Sequence, residues 1–178
     1  AVTNLASAQT LASGTFSATT DTLGTGTLTI AIGTPSYSGS TYSSFSQTSS
    51  VDITIDSSNN TLAGVRDAIN NAGAGVNASI LKNGDNYQLL LVSEETGLSK
   101  SMSISVTGDS VGGDTDNDGL SQLAFNSSGS QLTQYAAGAN ANFSINGLAV
   151  SSASNTVTDV IDGVTLNLLS VTSSAIII

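Results

Sequence analysis

The sequence predicts an α+β fold dominated by antiparallel strands, with one main helix. Helical periodicity is confined to one long window, Asn60 to Ala72, while most other apolar residues alternate with polar ones. Serine and threonine number 31 and 22, beside 18 glycines and a single proline, a composition that favours strands and turns over long helices. Apolar residues still make up 39% of the chain and recur periodically, as in a folded core rather than a disordered tract.

The elements follow in order. Residues 1–18 carry Val2, Leu5, Ala6 and Leu11, the weak alternation of an edge strand. Leu28, Ile30 and Ile32 mark a clear strand. Residues 33–50, GTPSYSGSTYSSFSQTSS, are polar and longer than most loops. They read as a surface insertion or a ragged hairpin. Tyr37, Tyr42 and Phe45 either pin this stretch to the body or form an exposed contact patch. Val51, Ile53 and Ile55 make the next strand. Leu62, Val65, Ile69 and Ala72 then share one helical stripe. Asn60 or Thr61 can cap the helix, and Gly73 and Gly75 can end it in a left-handed turn. Arg66 points off the stripe, free to pair with a nearby acid or another subunit.

Val76, Ala78 and Ile80 alternate as a half-buried strand, Asn83-Gly84 signals a tight turn, and Tyr87 to Val92 returns as a strand buried on both faces. Met102, Ile104 and Val106 alternate again, so residues about 20–108 form a self-contained unit. Gly108 to Gly119, dense in Gly and Asp, is a boundary, after which Leu120, Leu123, Phe125 and Leu132 return to a core. Asn142 to Val150 gives two short strands around Asn146-Gly147. Asn155-Thr156-Val157 with Val160 echoes Asn60-Thr61-Leu62 with Val65, leaving room for one or two helical turns before Gly163. Val164 to Leu169 echoes the strand Val76 to Leu81. The length suits one large or two small domains.

The window from Asn60 to Gly97, NTLAGVRDAINNAGAGVNASILKNGDNYQLLLVSEETG, resembles the flagellin-type repeat of bacterial flagellar axial proteins. The run FSINGLAVSSASNTVTDVIDGVTLNLL resembles the flagellar filament-capping family, FliD or hook-associated protein 2. So does the start, VTNLASAQTL followed by GTF and GTGTLTI. That resemblance implies two small head domains, one inserted in the other: a discontinuous domain of 1–19 plus 109–178 around a second of 20–108. It implies an extracellular structural protein at the distal tip of the bacterial flagellum, exported by the flagellar secretion apparatus. Such a cap would guide polymerisation of exported flagellin by steric and conformational action. Flagellin and copies of itself are the implied partners. The whole protein would form rings through segments lying mainly outside this piece, which is expected to be monomeric. The chain begins mid-pattern at Ala1 and stops at Ser174-Ala175-Ile176-Ile177-Ile178, as an excised fragment would.

Charge narrows the partners independently. Thirteen acids face three bases, Arg66, Lys82 and Lys100, for a net charge of −10. Phosphate binding needs clustered cations, so nucleic acid is excluded and anionic membranes are disfavoured. No apolar run approaches the ~20 residues that span a bilayer. With neither cysteine nor histidine, disulfides, thiol catalysis, imidazole triads and thiolate zinc sites all fall away. The absence of cysteine also suits a chain exported unfolded.

Glu94-Glu95 is the only adjacent glutamate pair, and neighbours on a strand face opposite ways, so it reads as solvated charge rather than an acid/base pair. Asp114-Thr115-Asp116-Asn117-Asp118-Gly119 matches the start of a calcium loop, but Phe125 stands where the bidentate acid belongs. An acidic turn is the preferred reading over a weak calcium site. The glycines of Ala72-Gly73-Ala74-Gly75 follow a helix, whereas phosphate loops precede one. No catalytic, cofactor or metal-binding residue is assigned. The alternative to a cap is an adhesive module taking host glycan or mucin on its Ser/Thr/Asn-rich loops and Tyr37, Tyr42 and Phe45.

Overall fold

The computed structural model of the chain describes residues 1–39 and 41–172. The closing run Ser174-Ala175-Ile176-Ile177-Ile178 lies outside the described residues. The strands, in order, are β1 (Val2–Asn4), β2 (Thr10–Ala12), β3 (Gly26–Ser38), β4 (Thr41–Ile55), β5 (Val76–Asn83), β6 (Asn86–Ser93) and β7 (Ser101–Thr107). There follow β8 (Phe125–Asn126), β9 (Gly129–Ser130), β10 (Thr133–Ala136), β11 (Ala141–Ile145), β12 (Leu148–Ser152), β13 (Thr156–Ile161) and β14 (Val164–Asn167). The helix α1 (Leu62–Ala72) lies between β4 and β5 in sequence, and short 3-10 turns occupy Leu98–Lys100 and Gly119–Leu123. The chain is a β-dominated α+β protein, and every described strand pair is antiparallel.

Two sheets and α1 enclose the main core. One runs β4-β3-β7-β8-β9, the other β10-β2-β6-β5. Alternation explains their inner faces: Leu28 and Ile30 on β3, Ile53 and Ile55 on β4, and Met102, Ile104 and Val106 on β7 are all buried. Leu62, Val65 and Ile69 of α1 join them, each with no exposed surface. Local chemistry sets the helix ends. The Thr61 hydroxyl accepts from the Gly64 amide at 3.1 Å, and Gly73 closes the helix at φ 60 in the left-handed region. Asn70 ties the helix to β5, donating to the Ala78 carbonyl at 2.9 Å and accepting from its amide at 2.7 Å.

The second group of strands is smaller. Its sheet runs β1-β11-β12, beside the hairpin β13-β14. Asn146 (φ 50) and Gly147 (φ 85) join β11 to β12, the double positive φ of a type I′ turn. Ala6, Ala141, Phe143 and Val157 are its buried apolar residues, and all four stand apart from the main cluster.

Strand pairing departs from the expected domain limits. Within 1–19, only β1 pairs with the 141–152 sheet, whereas β2 sits between β6 and β10. Beyond 109, Leu120, Leu123, Phe125 and Leu132 all lie in the core built around 20–108. The physical reason is that Leu11 and these four residues complete an apolar interior that 20–108 alone leaves open. Three local expectations also change. The echo at Asn155 to Val160 is a strand, because Thr156, Val157, Thr158, Val160 and Ile161 are β-branched and too few to nucleate a helix. The turn after β5 is centred on Gly84-Asp85, since Asn83 pairs with Asn86. On β6 only Leu89, Leu91 and Ser93 are buried, with Leu90 and Val92 half-buried, because α1 and the other sheet cover one face only.

Candidate interaction surfaces

The stretch 33–50 is a long hairpin rather than a loose insertion. β3 and β4 stay paired from Gly26 and Ile55 out to Ser38 and Thr41, with bulges near Ile32 and Ser36. Tyr42 turns inward. Its ring lies 5.6 Å from Phe125, 5.6 Å from Tyr37 and 6.4 Å from Phe45. Burial pushes the Tyr42 phenol up from its ordinary range. Aromatic stacking therefore pins the hairpin to the body. Tyr37, 42% exposed, shows the most surface of the three, so the trio forms no open platform.

The motif Asp114 to Gly119 folds as a hydrogen-bonded acidic turn. Asp116 accepts from the Ser121 hydroxyl at 2.8 Å and from the amides of Gly113 at 2.6 Å and Asp118 at 3.1 Å. These bonds, the Ser121 hydroxyl first, hold its carboxyl below the usual range. Asp118 accepts from the Gly119 amide, and Asp114 from the Asp109 amide. Asp109 accepts from Val111 and Ser121 amides, so these four carboxylates all serve the backbone. Phe125, the twelfth position, is buried in the core.

The remaining candidate charges are placed locally. Arg66 pairs with its neighbour Asp67 at 2.6 Å on the exposed side of α1. Glu94 and Glu95 follow the end of β6, and Glu95 pairs with Lys100. Both glutamates border an open cleft of about 350 Å³ with Gly73, Ala74 and Gly75. The Gly-rich turn thus faces two carboxylates and one ammonium, Lys100, an excess of negative charge that disfavours an anionic guest. Lys82 lies 5.6 Å from the Tyr87 ring centroid on the β5–β6 hairpin.

A polar seam joins the two strand groups. On the smaller group's side, Asn155 accepts from the Ala6 amide at 2.8 Å and donates to the Ala6 carbonyl at 2.9 Å. Thr96 donates to the Ala153 carbonyl at 2.6 Å, and the Leu98 amide to Asn140 at 2.9 Å. Gly97 approaches Ala153 so closely that a Cβ would sit 2.8 Å from the alanine methyl.

The feature least visible in the sequence is apolar and open. Val2, Phe143, Ile145, Leu166, Leu168 and Leu169 line a groove of about 380 Å³ on the smaller group. Leu169 is 88% exposed and Val171 58%. Its one sequence signal is the doublet Leu168-Leu169, because consecutive apolar residues cannot both face one side of a strand.

Comparison with known proteins places this architecture. Residues 138–177 match the family described as flagellar hook-associated protein 2 C-terminus. The B-type flagellar hook-associated protein 2 of Pseudomonas aeruginosa is 45% identical over 131 residues, covering 68% of this chain and 27% of that protein. The flagellar cap protein FliD of Escherichia coli, solved as its D1-D2-D3 domains, superposes with a TM-score of 0.82 at 33% identity, covering 97% of this chain and 45% of that one. The same protein solved as its D2-D3 domains gives a TM-score of 0.79 at 34% identity, covering 97% and 81%. The chain spans between 22% and 27% of the length of the curated relatives it matches.

Proposed function

Since the chain belongs to the flagellar hook-associated protein 2 family, the FliD capping proteins, we propose that it is the head region of a cap at the distal tip of the bacterial flagellar filament. The observation that carries the reading is the superposition of 97% of this chain on a cap protein solved as its D2-D3 domains. The whole protein is extracellular, exported through the flagellar apparatus, and binds flagellin and further copies of itself. It acts by shape: the head guides exported flagellin into place at the filament tip. No covalent step is needed. A net charge of −10 suits this role, because it keeps a hydroxyl-rich surface from sticking to itself.

Two head domains divide near residues 7 and 138, rather than at 20 and 109. The strand pairing supports this. β1, β11, β12, β13 and β14 make the smaller domain, and everything from β2 to β10 makes the larger, inserted one. The hydrogen bonds from Thr96 to Ala153 and from Leu98 to Asn140 form the joint between them.

A strain lacking the gene tests the function. It should export flagellin yet fail to polymerise it, leaving monomer in the medium and stunted filaments on the cell. Normal filaments in that strain would overturn the capping role.

A further inference from the structure

We propose that the groove of Phe143, Ile145, Leu166 and Leu169 is a docking site for the polypeptide that flanks residues 1–178 in the longer protein. Its occupant is a neighbouring domain of the same chain, which presents an apolar side. The inference rests on family membership and not on the capping role, so the two fail separately.

Three observations point to that occupant. The described ends of the chain meet at the groove. The Thr172 amide donates to the Val2 carbonyl at 2.9 Å, and the Val2 amide donates to the Thr172 hydroxyl at 2.9 Å. Ala1, Val2 and Thr172 themselves border it. Any flanking domain is therefore tethered within a few residues of this surface, at a high effective concentration. The relatives supply the length: the three-domain cap structure is matched over 45% of its chain and the two-domain one over 81%. One further domain adjoins the matched region in that protein.

The third observation is energetic. The smaller group of strands has a thin interior, with Ala6, Ala141, Phe143 and Val157 buried. Its β13-β14 hairpin pairs with no other described strand, and a lone two-stranded hairpin is at best marginally stable in water. On that hairpin Val160, Ile161 and Val164 are exposed, and Leu169 just beyond it is 88% exposed. Among the described residues, no charged side chain lines the groove. An apolar partner adds the burial this unit lacks, whereas a charged one would be desolvated without a counter-ion.

Thiol accessibility tests this, because the chain has no cysteine of its own. Leu169→Cys and, separately, Leu168→Cys, both at groove-lining positions, are introduced into the full-length protein, with Asp85→Cys as an exposed reference on the β5–β6 turn. Labelling of unsubstituted protein is subtracted. Both probes should react at least tenfold more slowly than the reference, at every protein concentration, and should reach the reference rate in denaturant. Either substitution alone is enough, should the other disturb folding. Reaction at the reference rate in the native protein would overturn the proposal. Protection that grows with protein concentration would also overturn it, by assigning the groove to a second copy. Protection that appears only on adding flagellin would assign it to that partner instead.

Discussion

At the residue scale, the two sharpest positions are Ile69 and Asp116. Ile69 is fully buried on α1, where the main core closes over the helix. Truncation leaves a cavity that the two sheets cannot fill, so Ile69→Ala should cost about 2–5 kcal/mol of unfolding free energy in urea. A loss under about 0.5 kcal/mol, the range of an exposed site, would place this face outside the core. Asp116 decides the nature of the acidic turn. Its two oxygens already hold the Gly113 and Asp118 amides and the Ser121 hydroxyl. A calcium ion would have to displace these bonds without the bidentate acid at position 125, which is Phe125. Thermal melts in calcium and in chelator should therefore coincide. A rise of several degrees in calcium, lost in Asp116→Ala, would contradict the hydrogen-bonded turn.

At the scale of elements, the outer part of the β3–β4 hairpin, beyond the stretch of β3 paired with β7, is held to the body by the inward ring of Tyr42. Tyr42 contacts Phe125, which sits in the main core, while Tyr37 and Phe45 flank it. Tyr42→Ser removes this stack, worth about 0.5–1.5 kcal/mol beyond area burial for each aromatic pair. Hydrogen exchange between Thr34 and Ser50 should quicken, with the α1 amides unchanged. Uniform exchange across hairpin and helix would show that Tyr42 pins nothing. Elements like α1 were legible because their signals are local: a cap at Thr61, a stripe of Leu62, Val65 and Ile69, and a glycine stop. The Asn146-Gly147 hairpin was legible for the same reason. The echo at Val157 misled because short β-branched runs satisfy a helical spacing and a strand spacing equally. The inward turn of Tyr42 and the place of β2 inside a sheet depend on partners 83 and about 80 residues away in sequence, which periodicity cannot reveal.

At the scale of the whole molecule, architecture and charge separate what this chain does from what its flanks do. The described surface is hydroxyl-rich, and 13 acids against three bases make copies repel. Its open apolar groove is bordered by Ala1, Val2 and Thr172. Residues 1–178 alone should thus be monomeric at micromolar concentration by light scattering, while the full-length protein at matched concentration should form rings. A stable ring from residues 1–178 alone would show that the heads themselves drive assembly. The central claim, that this chain is the head of a filament cap, is tested most directly by where it sits. Antibodies raised against residues 1–178, bound to intact cells and followed by gold in the electron microscope, should mark one cluster at the free end of each filament. Gold along the shaft, or at the end next to the cell, would contradict the account.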